Sequence, residues 1–215
     1  MSERGNIFAR ITAALVTLPD RKPLPDYPHD IAVARAAPGK SAATSLVDHF
    51  SQRLRSVRGQ VFQDPRALGA WLGAQGATRG VCDPTLLPTV AAWFGPGFAL
   101  ETMPDRARID DYKFGITRAA GAIAETGTLI LNDAGTSSRL AALAPWIHIA
   151  VLDASQIHAH VGDAIAALGD DPNVIWCTGP SKTADVEGIL IEGVHGPGEQ
   201  IALILTSPPA GDETD

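Results

Sequence analysis

Glu125 is the first residue of this chain whose surroundings could support chemistry. It stands between Ala124 and the tight turn Thr126-Gly127-Thr128. A carboxylate beside such a turn in a half-buried run can act as a nucleophile or as a general base with a raised pKa. It can equally be structural and accept backbone hydrogen bonds. The sequence leaves both roles open, and Glu125 is a candidate catalytic residue.

A second turn, GPSKTAD, brings hydroxyls and an ammonium group together after the apolar run VIWC. If a helix begins here, its free N–H groups and the lysine would suit a carboxylate or a phosphate. Simple capping by first-turn acids explains the same residues equally well. The required glycines of a P-loop are missing, and GVHGPG lacks the spacing of a dinucleotide fingerprint. The candidate ligand contacts are Gly179, Ser181, Lys182, Thr183 and Asp185.

A third turn presents His195, between Val194 and Gly196-Pro197. Imidazole titrates near neutral pH, so His195 is a candidate acid–base or substrate-binding group. We expect Glu125, His195 and the residues of the second turn to line one crevice, because successive loops of a parallel sheet emerge at the same edge.

Three aspartates follow strand-like runs and could bind a cation or hydroxyl groups: Asp83, Asp133 and Asp153. Pro84 follows the first of them directly, a pattern that favours helix capping there. A Gly/Thr/Ser loop follows Asp133, for which capping and ligand binding remain equal alternatives. No pair of histidines has chelating spacing, and Cys82 and Cys177 form no C-x-x-C pair. The sequence therefore predicts buried reduced thiols, with no metal site and no cofactor in this chain.

The elements that must position these residues alternate between strand and helix. Amphipathic spacing predicts helices over 4–18 and 44–57, and Asp-Pro pairs open two more at Asp64 and Asp83. Further helices are expected at 138–143 and 155–168. Such alternation indicates a mainly parallel sheet with helices on both faces, in a three-layer α/β/α arrangement. Strands are predicted at QVF, GVC, 127–132, 146–152, 173–177 and 200–206.

One stretch, AIAETGTLIL, fits either a helix end followed by a strand or two strands joined by the Thr126-Gly127 turn, and the second interpretation is favoured. Residues 1–40 are expected to form an N-terminal helical arm and a proline-rich linker. The apolar face of the arm should pack on another surface. An α/β domain is predicted over 41–206, and a disordered acidic tail over 207–215.

Composition excludes several classes of protein. The net charge is −7, and the 17 basic residues form no stripe that could neutralise phosphates, so a nucleic-acid partner is not expected. The apolar runs are far shorter than the ~20 residues of a membrane-spanning helix. The N-terminus lacks the uninterrupted apolar core of a signal peptide. We therefore expect a cytoplasmic protein without a membrane span.

Taken together, IAETGT, GPSKTAD and GVHGP occur in an order that resembles the LUD domain of the lactate utilization protein C family, over roughly residues 60–206. The matching blocks also include Gly115-Ile116-Thr117, which makes Thr117 a candidate ligand contact beside Thr126, Gly127, Thr128 and Gly196. Many relatives carry a basic residue directly after GVHGP, where this chain has Gly198.

The resemblance implies a fold similar to the ribose-5-phosphate isomerase and CoA-transferase superfamily. It also implies a function: family members act with two iron–sulfur partner proteins that carry the clusters in oxidising L-lactate to pyruvate. This chain would then be a non-redox or ligand-binding subunit, with a small anionic ligand possible. The alternative is a free-standing enzyme of the CoA-transferase or formyltetrahydrofolate cyclo-ligase kind, with Glu125 as nucleophile.

Overall fold

A computed structural model of the protein describes residues 3–16, 45–133, 135–136, 138–169, 171, 173–184 and 189–205. The chain divides into two units, residues 1–35 and 36–215. In the first unit the predicted helix is present as α1 (Glu3–Val16). Its apolar side chains Ile7 and Phe8 are 56% and 57% exposed, and the packing of this helix on another surface stays a prediction. The proline-rich linker and the acidic tail lie outside the described residues.

Three helices of the second unit begin at residues whose side chains cap them. Ser45 accepts a hydrogen bond from the backbone N–H of Asp48, and Asp64 accepts one from Arg66 beside a proline at the first helical position. Within the described ranges, no helix combines the length and the apolar character needed to cross a bilayer. These helices are α2 (Leu46–Ser56), α3 (Pro65–Ala74), α4 (Leu87–Phe94), α5 (Arg139–Leu143) and α6 (Val161–Leu168), with 3₁₀ turns at Arg106–Asp111 and Ala154–Gln156.

The role of Asp83 differs from the predicted helix cap. Its carboxylate accepts hydrogen bonds from the backbone N–H of Thr85 at 2.8 Å and from its hydroxyl at 2.6 Å. These bonds close a turn over Pro84, and α4 begins only after that turn, at Leu87. Asp83 thus organises the approach to the helix and does not cap its first turn.

The strands form a large parallel sheet and two smaller sheets. They are β1 (Gln60–Phe62), β2 (Arg79–Cys82), β3 (Ala99–Glu101), β4 (Phe114–Arg118), β5 (Gly121–Ile123), β6 (Thr128–Asn132), β7 (Ile147–Asp153), β8 (Ile157–His158), β9 (Val174–Cys177), β10 (Lys182–Ala184), β11 (Leu190–Glu192) and β12 (Glu199–Leu205). The central sheet has the order β1-β12-β7-β4-β2-β3, and every pairing in it is parallel. The predicted mainly parallel sheet is confirmed.

Both faces of the central sheet are covered, as its almost continuously apolar strands require. On one face, Leu68 and Leu72 of α3 and Val90 of α4 pack against Phe114 and Ile149. On the other face, Phe50 and Leu54 of α2 share a core with Leu129, Ala150 and Leu152. The architecture is therefore the predicted three-layer α/β/α arrangement.

A second sheet, of order β8-β5-β6-β9, lies within the layer on the α2 side and was not predicted. Its β5 and β6 pair antiparallel around the Thr126-Gly127 turn, which confirms the two-strand interpretation of this stretch. The helix predicted over 155–168 is shorter, because residues 157–158 add a parallel strand beside β5 and α6 begins at Val161. Packing on β5 and β6 through Ala164, α6 covers the outer face of this sheet.

The prediction that a helix begins in GPSKTAD is wrong. Residues 182–184 form β10, which pairs antiparallel with β11 through Thr183 and Ile191. Pairing with a distant strand thus takes the place of the local helix start. The ligand site built on free helix N–H groups is lost with it.

Gly115 sets the approach of α5 to the central sheet. A Cβ at this position would lie 1.8 Å from the carbonyl oxygen of Ala141, a backbone atom that cannot move aside alone.

We expect Gly115→Ala to lower the free energy of unfolding by about 3 kcal/mol, at the upper end for overpacking. Urea denaturation measures the change. The control is Gly162→Ala in α6, where an added Cβ meets nothing within 4 Å. The control should be neutral or stabilising by up to about 1 kcal/mol, and equal losses in the two variants would contradict the packing argument.

Candidate functional site

The end of α2 is where the motif turns meet. Helix α2 terminates in a Schellman motif: the Gly59 N–H donates to the Leu54 carbonyl at 2.9 Å, and the Arg58 N–H donates to the Arg55 carbonyl at 3.0 Å. Arg58 takes the left-handed conformation that this motif requires, with φ 69°. The sequence thereby places a cation directly after the helix.

The Thr126-Gly127-Thr128 turn packs on this helix through its glycine. Gly127 has φ 68°, and a Cβ there would lie 2.4 Å from the backbone nitrogen of Leu54. Only glycine fits both the conformation and the space. Beside it, the Thr126 and Thr128 hydroxyls are 2.7 Å apart, and the Thr128 hydroxyl lies 2.8 Å from that of Thr178. The first two motif blocks are therefore joined by a chain of three hydroxyls.

The second motif turn packs on the same helix end. Gly179 has φ 79°, and a Cβ there would lie 2.4 Å from the Val57 carbonyl oxygen. The Lys182 ammonium donates to this same carbonyl at 3.0 Å, as a cation should at the negative end of a helix. The loop 193–198 joins them, because the Ser181 N–H donates to the Pro197 carbonyl at 2.8 Å and the Gly193 N–H to the Ser181 carbonyl at 2.9 Å. We call the turns 126–128, 178–182 and 193–198, with Val57 and Arg58, the motif junction.

Charges at the motif junction leave a positive excess among the described residues. One carboxylate oxygen of Glu192 lies 2.8 Å from the Arg58 guanidinium and 3.9 Å from the Lys182 ammonium. Two cations thus share one carboxylate, and the partial negative charge of the α2 C-terminus offsets part of the remainder. The Arg58 side chain is 67% exposed, so it is accessible to a ligand from solvent.

Glu125 points away from the motif junction. One carboxylate oxygen accepts the Val161 N–H at 2.7 Å, at the start of α6, and the other lies 3.0 Å from Nδ1 of His160. Its side chain is 10% exposed. Both oxygens therefore support the helix start, which is the structural role that the sequence left open. A nucleophilic role would require these bonds to break.

Some candidate residues come together and others do not. His195 belongs to the 193–198 loop of the motif junction, and its side chain is exposed. Asp133 lies elsewhere, where it forms an ion pair with Arg139. The hydrogen bond from Arg139 lowers the pKa of Asp133. Thr117 lies in the core, and Asp185 lies outside the described residues. The motif junction holds Thr126, Gly127, Thr128, Gly179, Ser181, Lys182 and Gly196, with Thr183 on the adjoining β10.

The crevice expected beyond the carboxyl ends of the parallel strands is not where the motifs gather. The 193–198 loop leads into β12, so it lies at the amino end of that strand, where the Glu199 N–H donates to the Trp146 carbonyl at 3.0 Å. Arg58, Glu192 and Trp146 belong to this region and were missed. The one usable signal was the pair of glycines Gly193 and Gly198, which leaves space for the large side chain of Trp146.

A buried polar row crosses the central sheet on its α2 side. Nε2 of His148 lies 2.8 Å from the Thr117 hydroxyl, and its Nδ1 lies 3.1 Å from Oε1 of Gln200. An amide oxygen only accepts, so Nδ1 carries the proton and Nε2 accepts from Thr117. Both ring nitrogens of this strand histidine are therefore hydrogen-bonded. Burial lowers the pKa of His148 to about 4, although the bond to Gln200 acts in the opposite direction.

The cysteines are thiols of low reactivity. Burial raises the pKa of Cys82 to about 12, with a contribution from Asp83, and that of Cys177 to about 11. Since the thiolate is the form that ligates metals and attacks electrophiles, both groups are poorly suited to either task. Within the described ranges, no group of three or more His, Cys, Asp or Glu side chains is arranged to hold a metal ion.

Known proteins resemble this chain in sequence and in fold. The profile of the LUD domain family matches residues 88–205. The chain is 31% identical over 185 residues to the Lactate utilization protein C of Deinococcus radiodurans, across 81% of this chain and 82% of that protein. It is 35% identical over 101 residues to the Lactate utilization protein C of Bacillus subtilis, across 43% of this chain and 42% of that protein.

A solved structure gives the same architecture. The crystal structure of a DUF162 family protein from Deinococcus radiodurans aligns with a TM-score of 0.56 and 24% sequence identity. The alignment covers 75% of this chain and 96% of that one. This likeness concerns the fold, and it agrees with the α/β/α arrangement.

Neutral His148 makes the stability of the protein depend on pH. As the pH falls below about 6.5, the unfolded chain takes up a proton on this histidine, whereas the folded chain does so only near pH 4. The contribution of neutral His148 to the free energy of unfolding is therefore fully present above pH 6.5. It is lost progressively toward pH 4, by about 3 kcal/mol. His148→Gln keeps polar atoms in the row and cannot titrate. Chemical denaturation at pH 7, 5.5 and 4.5 should show a flatter pH dependence for this variant than for the wild type, and parallel curves would contradict the assignment.

Proposed function

We propose, since the chain belongs to the LUD domain family, that it serves in L-lactate utilization as a cytoplasmic component of a system that oxidises lactate to pyruvate. The observation that carries this proposal is the sequence likeness to the Lactate utilization protein C of Deinococcus radiodurans, which extends along most of both chains. The three motif blocks lie within the part of the chain that matches the family, and they meet at one place in the fold.

In this proposal the redox chemistry belongs to iron–sulfur partner proteins. The two cysteines of this chain support that division of labour, because their raised pKa values disfavour the thiolate form that cluster ligation needs. This chain contributes a ligand-binding or assembly surface. The carboxylate of Glu125, engaged on both oxygens, gives the alternative of an acyl-transferring enzyme less support.

We place the binding of a small anion at the motif junction. Arg58 and Lys182 supply two positive charges against the single carboxylate of Glu192. Lactate and pyruvate are both monocarboxylates, whose charge this excess complements. The backbone around Ser181 is fixed by two hydrogen bonds, so the cations are held on an ordered surface.

Deleting the gene in its host should abolish or slow growth on L-lactate and leave growth on pyruvate unchanged, because only the oxidation step is lost. Complementation with the wild-type gene should restore growth, and complementation with Lys182→Ala should restore it only in part. Arg66→Ala, which removes an exposed cation from α3, is the matched control and should restore growth fully. Normal growth of the deletion strain on L-lactate as sole carbon source would overturn the proposed function.

Charge changes at the motif junction should shift anion affinity in opposite directions. Removing one charge near a surface site changes the free energy of binding by about 1 kcal/mol, so Lys182→Ala should weaken the binding of L-lactate or pyruvate about fivefold. Glu192→Gln should strengthen it by a similar factor. Ligand-observed NMR at low ionic strength measures both effects, and added salt should reduce them. Affinities that change in the same direction, or not at all, would place the anion elsewhere.

A further inference from the structure

A cavity of about 270 Å³ lies at the amino edge of the central sheet, apart from the cations of the motif junction. Its wall includes the residues that enter β4, β7 and β12, and the end of α3 closes one side. The proposed role in lactate utilization makes no use of this cavity. Its lining residues are Trp71, Gln75, Gly76, Ala77, Lys113, Trp146, Ile147 and Glu199.

Two indole rings border the cavity, and each is supported from behind. The Trp71 ring lies 6.0 Å from the ring of Phe62, at an interplanar angle of 54°. The Trp146 ring rests on two glycines: a Cβ at Gly193 would lie 2.3 Å from it, and one at Gly198 would lie 2.2 Å from it. Besides its place in the motif junction, the 193–198 loop thus supports the indole ring of Trp146, which remains 54% exposed.

Polar groups of both kinds surround the two rings. Lys113 supplies an ammonium, which also donates to the Asp110 carbonyl at 3.1 Å. Glu199 supplies a carboxylate, of which one oxygen accepts from the Gln60 amide at 2.8 Å. Gln75 adds an amide that can both donate and accept. The positive charge of Lys113 and the negative charge of Glu199 balance each other. The cavity therefore favours an uncharged ligand that carries hydrogen-bond donors and acceptors.

We propose that this cavity binds a small, uncharged, planar heteroaromatic molecule of one or two rings. The indoles offer apolar faces that favour offset or edge-to-face contact with another aromatic ring. Ligand pockets usually measure about 300–1,000 Å³, so a cavity slightly below this range admits a ring system and excludes a complete dinucleotide. Lactate has no ring with which to use these walls, so this is a site for a different ligand.

The test uses the full chain with adenine and nicotinamide as probes, and indole as a probe that matches adenine in shape but lacks ring acceptors. Ligand-observed NMR should give saturable binding of adenine or nicotinamide with a Kd below about 1 mM. Indole should bind at least several-fold more weakly than adenine. Absence of saturable binding for both heteroaromatic probes overturns the proposal, and so does indole binding as tightly as adenine, because the polar groups would then contribute nothing.

Variants locate the site. Trp71→Leu and Trp146→Leu should each weaken binding about tenfold, since each removes one aromatic wall. Gly198→Ala should weaken it as well, although it removes no lining group, because it displaces the Trp146 ring. Trp176→Leu on β9 is the matched control: this tryptophan is 39% exposed and does not line the cavity. Thermal midpoints check that each variant is folded. Equal binding by the wild type and by a folded Trp146→Leu or Trp71→Leu variant would overturn the assignment to this cavity.

Discussion

The contact between the end of α2 and two glycine turns fixes much of the rest of the structure. Gly127 and Gly179 both bring backbone against backbone there, at positions where a Cβ would lie 2.4 Å from a main-chain atom. Neither glycine can be replaced by a residue with a Cβ without moving the helix. Because the first turn leads into β6 and the second follows β9, the same contact also sets the position of the second sheet against the central one.

The core between the two sheets combines a large apolar cluster with one polar row. Phe50, Leu54 and Leu129 supply apolar packing, while Thr117, His148 and Gln200 are also fully or almost fully buried. Burying polar groups costs free energy unless hydrogen bonds compensate, and here the histidine is bonded through both nitrogens. The Nε2 of Gln200 has no hydrogen-bond partner among the described residues. The row thus links three neighbouring strands of the central sheet within the core.

Features set by local chemistry could be predicted from the sequence. The helix start at Asp64-Pro65, four of the six strands of the parallel sheet and the turn at Thr126-Gly127 depend on neighbouring residues and are present as predicted. The other two strands of that sheet, β3 and β4, were not predicted. The pairing of β10 with β11 could not be predicted, because Lys182–Ala184 has helix-start chemistry that a distant strand overrides. The candidate site was predicted in part for the same reason: its glycine and threonine turns are local, whereas Arg58, Glu192 and Trp146 reach it only through the fold.

The three threonine hydroxyls at the motif junction have a property that no single hydroxyl has. Thr126, Thr128 and Thr178 form a chain in which each oxygen can donate one hydrogen and accept another. The hydrogens can therefore run from the first residue to the last or in reverse, with the heavy atoms unmoved. The two orderings have opposite dipoles, and hydrogen bonds in such a chain polarise one another. A charge at either end of the chain therefore favours one of the two orderings over the other.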